Sequence, residues 1–152
     1  MRNFLISLGL LLILFGCGEK PCYEETDTFL NISFQTIVDS TGLPKDSIFD
    51  SLFVAGAGSP YEIKYTGSDY NLVLDLNNDS TWFNLGFNGR DSTDQIVFSY
   101  IRKPYLVSHE CGFAMFFDSL KIEAFSTNFI DSVEIISNTV DDIERENVKI
   151  YL

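Results

Sequence analysis

The sequence predicts an all-β domain, an antiparallel β-sandwich of immunoglobulin-like type with about eight strands. Three observations predict it. Beyond position 27 the apolar residues recur with period two. Clusters of Gly, Pro, Asn, Asp and Ser break that pattern about every ten residues. No apolar stripe of helical period is long enough to make an amphipathic helix.

The elements follow in order. In TFLNISFQTIV, residues 28–38, Leu30, Ile32, Phe34 and Val38 share one face and Asn31, Ser33 and Gln35 the other, which is the pattern of a half-buried strand. STGLPKDS punctuates, and SIFDSLFVA (47–55) is the next strand, closed by AGAGSP. YNLVLDL (70–76), TWFNLGF (81–87) and DQIVFSYI (94–101) come next, closed in turn by LNNDS, FNGRDS and RKP. CGFAMFF (111–117), LKIEAFS (120–126), DSVEIIS (131–137) and NVKIYL (147–152) complete the set, with DDIEREN (141–147) as a solvated loop before the last. TWFNLGF and FAMFF (Phe113–Phe117) are apolar on both faces, so each is either a docking patch or a strand covered on both sides. For FAMFF we expect a central, covered strand.

The chain begins differently. FLISLGLLLILF, Phe4 to Phe15, follows a single positive charge at Arg2. It is too short to cross a bilayer, which takes about 20 apolar residues, and it fits the apolar region of a secretory signal. LFGC then resembles the lipobox of bacterial lipoproteins, although Phe15 is bulky for its position. By that resemblance residues 1–16 are a cleaved signal and Cys17 carries the diacylglycerol and acyl chain, with residues 17–27 a short tether and 28–152 the sandwich. Beyond those covalent acyl chains no cofactor is expected.

With Cys17 acylated, Cys22 and Cys111 remain, an even pair in a compartment that permits disulfides. The alternative is that both stay reduced; we expect the bridge, because Cys22 lies in a polar lead, EKPCYEETD, with no other evident use for a thiol. Five residues of extended chain reach about 18 Å at most, so a bridge at Cys22 holds the domain close to the membrane.

Charge and motifs narrow the function classes. The net charge is −12, and discarding Arg2 makes it one unit more negative. No basic patch with interleaved aromatics exists, so a nucleic acid partner is not expected. Asp75, Asn77 and Asp79 alternate as in the start of a calcium loop, but Ser80 stands where the sharp turn needs Gly and Gly86 where the bidentate acid belongs. A polar hairpin turn is the better reading. His109 is the only histidine and lacks partners at metal-ligand spacing, so no metal is expected. No nucleophile elbow or phosphate loop appears, and no pair of carboxylates is singled out; no catalytic residue is assigned.

One anomaly is sharp. Asp precedes Ser seven times, far above chance for thirteen Asp and fifteen Ser, and the next residue is always Thr, Ile, Leu or Val. Turn chemistry at strand starts accounts for Asp and Ser. The triplets also resemble the Asp-Ser/Thr-aliphatic acceptor for O-glycosylation of exported proteins in Bacteroidota, which makes Ser40, Ser47, Ser51, Ser80, Ser92, Ser119 and Ser132 candidate acceptors.

Three blocks, FSYIRKPYLVSHECGF (98–113), STNFIDSVEI (126–135) and ENVKIYL (146–152), stand together with the lipobox and PCYEETD. By these residues the chain from Asp50 onward resembles a family of small Bacteroidota lipoproteins classed as a domain of unknown function. The resemblance implies a lipid-anchored, all-β domain and supplies no activity. The functional expectation is a lipid-anchored, non-catalytic binding or accessory subunit, on the periplasmic side of the outer membrane. Its partners would be membrane lipid through Cys17 and a β-barrel or other envelope protein. The alternatives are a barrel that carries a small apolar ligand, for which 14 Phe and 7 Tyr would serve, and a hydrolase of unrecognised type.

Overall fold

The computed structural model describes residues 21–22, 26–37, 42–56, 63–67, 70–87 and 92–152. The signal 1–16, Cys17 and Ser40 lie outside the described residues. Ten strands form two sheets packed as a sandwich, with no helix among the described residues: β1 (Leu30–Ile37), β2 (Pro44–Asp46), β3 (Phe49–Gly56), β4 (Ile63–Gly67), β5 (Tyr70–Leu72), β6 (Ser80–Phe87), β7 (Thr93–Ser108), β8 (Gly112–Phe125), β9 (Ser132–Ile135) and β10 (Val148–Tyr151).

One sheet runs β2-β1-β10-β9, and β5 shares with β2 the same side of β1, pairing with Leu30–Ile32 while β2 pairs with Gln35–Ile37. The other runs β4-β3-β6-β7-β8 and is antiparallel throughout. The sandwich departs from strict antiparallel pairing at β1 and β10, which run parallel with Phe34 opposite Ile150. Parallel neighbours need a long crossover, and here nearly the whole domain separates the two strands.

The period-two faces become the core. Leu30, Ile32 and Phe34 of β1 face Leu52 and Val54 of β3 and Phe83, Leu85 and Phe87 of β6 across the interior. Phe34 is met edge-on by Phe49, Tyr70 and Phe87 at centroid distances of 5.5, 5.1 and 5.8 Å, and Phe129 meets Phe87 at 4.3 Å. Such contacts add about 0.5–1.5 kcal/mol each beyond area burial. Phe34, Tyr70, Phe83, Phe87, Phe98, Tyr100, Phe117 and Phe129 are buried in this core.

Three sequence expectations are corrected. β2 and β4 lack an alternating signature because they are short, largely exposed edge segments. RKP does not end a strand: Arg102, Lys103 and Pro104 lie inside β7. Tyr100 N–H donates to Asp79 O on the β6 side, and Pro104 has the same parity, so its missing N–H falls on that side beyond the first residue of β6. FAMFF is not a covered central strand. It belongs to β8, the outer strand of its sheet, which continues through LKIEAFS.

The apparent break within β8 is a bulge. Ser99 pairs with Lys121 and Ile101 with Asp118, so Ser119 and Leu120 together oppose Tyr100, and Ser119 takes φ +56°. The extra residue lets Phe117 and Leu120 both turn inward although they are three apart.

Candidate functional site

The pairing of β6 with β7 ends at Ser80 opposite Ser99, yet the β7–β8 ladder continues to Ser108 opposite Gly112. The two strands therefore overhang the sandwich as an arm. Its turn forms because Ser108 Oγ accepts the Cys111 N–H at 3.0 Å and Gly112 adopts φ +75°, a conformation that suits glycine. A two-stranded ribbon alone is marginal in water. This one is held by Tyr105 stacked on Phe116 at 4.8 Å, by the Lys103–Asp118 ion pair, and by a disulfide between Cys111 at its tip and Cys22, with Cα atoms 4.8 Å apart.

The segment ahead of β1 passes alongside. Thr28 is buried, and its hydroxyl donates to Met115 O at 2.8 Å. On the other side the turn after Leu74 is locked to the sheet: Thr81 Oγ1 accepts the Asp75 N–H at 2.7 Å, Tyr100 Oη donates to Asp75 O at 3.0 Å, and Arg102 donates to Leu76 O at 2.9 Å and to Asp79 at 2.7 Å. Burial pushes the Tyr100 hydroxyl pKa above its ordinary value. Between these parts lies an open cleft of about 550 Å³ whose apolar lining includes Phe29, Val73, Leu76, Pro104, Phe113 and Met115. Phe113 is 69 % exposed, and Tyr105 and Leu106 on the arm are 53 % exposed.

The calcium-like residues serve the turn. Asp75 accepts from Asn77 N–H and Asn78 Nδ2, which lower its pKa, and Asp79 pairs with Arg102. Among the described residues no group of three or more His, Cys, Asp or Glu is placed to hold a metal ion. His109 is exposed in the turn of the arm, and Cys111, two residues on, is in the disulfide. Of the candidate acceptor serines, Ser80, Ser92 and Ser132 are exposed and Ser47 and Ser119 half-buried, whereas Ser51 is only 5 % exposed in β3. Burial removes Ser51 from the accessible hydroxyls.

A family model described as a family of unknown function (DUF6452) matches residues 38–152. The chain belongs to that family. The DUF6452 match includes Cys111, the arm and the bulge of β8, while Cys22 and β1 precede it. No curated protein and no solved structure matches the chain.

Sequence reasoning missed a buried acid in this DUF6452 domain. Asp94 is fully buried and accepts hydrogen bonds from Ser126 Oγ and from the N–H groups of Asn128, Phe129 and Ile130, the backbone bonds at 2.8, 2.8 and 2.9 Å. Burial pushes its pKa up, but the four hydrogen bonds together outweigh burial and hold it below the ordinary carboxylate value. The signal was present: Asp94 falls in register with the inward-facing Ile96, Phe98 and Tyr100. Its bonds are all spent on residues 126–130, so its role is structural.

Proposed function

We propose that this chain is a lipid-anchored accessory subunit, held through acyl chains on Cys17 at the periplasmic face of the outer membrane, that binds a β-barrel or other envelope protein without catalysing a reaction. The observation that carries this reading is the Cys22–Cys111 bridge: it ties the tip of the arm to a point five residues from Cys17. An extended tether of that length reaches about 18 Å, so the arm and its cleft stay beside the bilayer. The cleft is open and its rim is apolar and exposed, which suits docking of a protein segment better than enclosure of a small molecule. The acidic body suits a protein partner better than nucleic acid.

The experiment is site-specific photo-crosslinking in native membranes, with the crosslinker at Val73 or Met115 in the cleft and at Ser132 on β9 as control. A barrel or other envelope protein captured from the cleft positions alone, and lost with Cys17→Ser, is the expected result. Equal capture from Ser132, or unaltered membrane retention of Cys17→Ser, would reject the reading. The exposed triplets Asp-Ser-Thr at Ser80 and Ser92 and Asp-Ser-Val at Ser132 fit the same exported setting, as acceptors of the O-glycan that Bacteroidota place on such proteins.

A further inference from the structure

We propose that the outer end of the β7–β8 arm is a lipid-contacting wedge, in which Tyr105 and Leu106, beside Phe113, seat in the headgroup and upper acyl region and set the orientation of the anchored domain. The proposal rests on the anchored reading above and adds to it the surface that meets lipid.

Three observations point to lipid as the occupant. First, Tyr105 and Leu106 lie on opposite faces of the ribbon, because neighbouring strand residues alternate, and both are more than half exposed. A ribbon apolar on both faces suits immersion, whereas a docking strip needs one apolar face. Tyrosine with an apolar ring and polar tip is the residue type that favours a membrane interface.

Second, charge sorts the molecule. The chain as a whole carries −12, so anionic headgroups repel its body, but from Tyr105 to Phe116 there is no Lys or Arg and Glu110 is the only acid. The arm is thus a stretch that can approach headgroups at little electrostatic cost.

Third, the covalent path fixes proximity. Leu106 pairs with Phe113, two residues from Cys111, and Cys111 is bridged to Cys22. Adding the 4.8 Å between the bridged Cα atoms and two strand residues, about 7 Å, to the tether places Phe113 of this pair within roughly 30 Å of the acylated residue along the covalent path. The stack of Tyr105 on Phe116, with ring planes 13° apart, keeps the tip in one shape. A few side chains of this kind orient a domain that is already anchored; they do not anchor it.

The test uses the acylated, disulfide-intact protein in vesicles of phosphatidylethanolamine and phosphatidylcholine with brominated acyl chains. Flotation with the vesicles reports the anchor, and fluorescence reports the wedge. Trp82, the single tryptophan, pairs with Val97 on β7, roughly 26 Å along the strand from Tyr105, and serves as an internal reference. The expected result is that Leu106→Trp, and independently Tyr105→Trp, adds a blue-shifted emission that loses most of its intensity in brominated lipid, while Trp82 in the unsubstituted protein is unquenched. If the variants float with the vesicles but their added emission is unquenched, the wedge is rejected and the arm is left as a protein-facing surface. If the unsubstituted protein does not float, the anchored reading fails first and the wedge falls with it.

Discussion

Thr28 donates its hydroxyl proton to the carbonyl oxygen of Met115 at 2.8 Å, joining the lead into the first strand to the outer strand of the opposite sheet, 87 positions away. That bond lies at the wall of the cleft, and the Cys22–Cys111 bridge ties the same leading segment to the tip of the arm. The arm is therefore held midway along β8 and at its end.

The bridge spans a sequence separation of 89 residues, for which loop-closure entropy gives about 4 to 5 kcal/mol. The Cys22→Ser, Cys111→Ser double variant, made without touching Cys17, is expected to lower the urea midpoint accordingly. Amide exchange along Gly112–Phe116 should accelerate more than exchange in the core strand β6. An unchanged midpoint with unchanged exchange would mean that Thr28 and the Tyr105–Phe116 stack hold the arm by themselves.

Ser119 sits in the β8 bulge with φ +56°, a conformation that costs an L-residue about 1 to 2 kcal/mol and costs glycine nothing sterically. Ser119→Gly is expected to raise stability by about 1 kcal/mol, the steric gain less the extra freedom of glycine in the unfolded chain. Ser119→Val should lower it by at least as much, since a β-branched side chain is poorly accommodated there. Thermal unfolding of the two variants against the parent measures both, and a destabilised Ser119→Gly would show that the serine side chain matters more than the backbone.

How much of this was legible in the residues depended on whether the cause was local. Alternation wrote out β1 and the inner part of β7, because one face of each is core and the other is not. The expected pairing of Cys22 with Cys111 came from setting Cys17 aside for lipid and from the polar lead around Cys22, and needed no geometry. What could not be read was which strands stand at an edge. FAMFF has the composition of a covered strand, but the arm leaves the sandwich behind, so Phe113 is exposed while Phe117, four residues on, is in the core. RKP looked like a stop because proline's cost depends on whether a neighbour needs its N–H, and that is a tertiary fact. Asp94 was legible in register but not in purpose, since its four donors lie more than thirty residues downstream.

The acceptor triplets make a prediction that accessibility decides. If the exported protein is O-glycosylated at its Asp-Ser triplets, the glycan should be found on Ser80, Ser92 or Ser132, which are exposed, and not on Ser51. Peptide mapping by mass spectrometry of protein purified from its native envelope reads this directly. A glycan on Ser51 would require modification before β3 pairs with β4 and β6, and so before folding.

Asp94 carries the pH dependence. Its folded pKa lies below its ordinary value because Ser126, Asn128, Phe129 and Ile130 bind the charged form, and they outweigh the burial that opposes it. A carboxylate depressed in this way contributes stability that is fully present above the unfolded pKa, about 3.9, and is lost as pH falls through the lower folded value. Asp94→Asn keeps the shape but turns an amide N–H₂ toward backbone donors, leaving at least one buried N–H unpaired, at a cost of about 3 kcal/mol near neutral pH. The difference between parent and variant in urea unfolding should therefore be large at pH 7 and shrink below about pH 4, where the parent loses what the variant never had. Amide exchange at Phe129 and Ile130 should rise in the variant, because the 126–130 turn has lost the group that closes it. A difference that stays constant from pH 7 to pH 3 would place the stabilising role of Asp94 in packing and not in its charge.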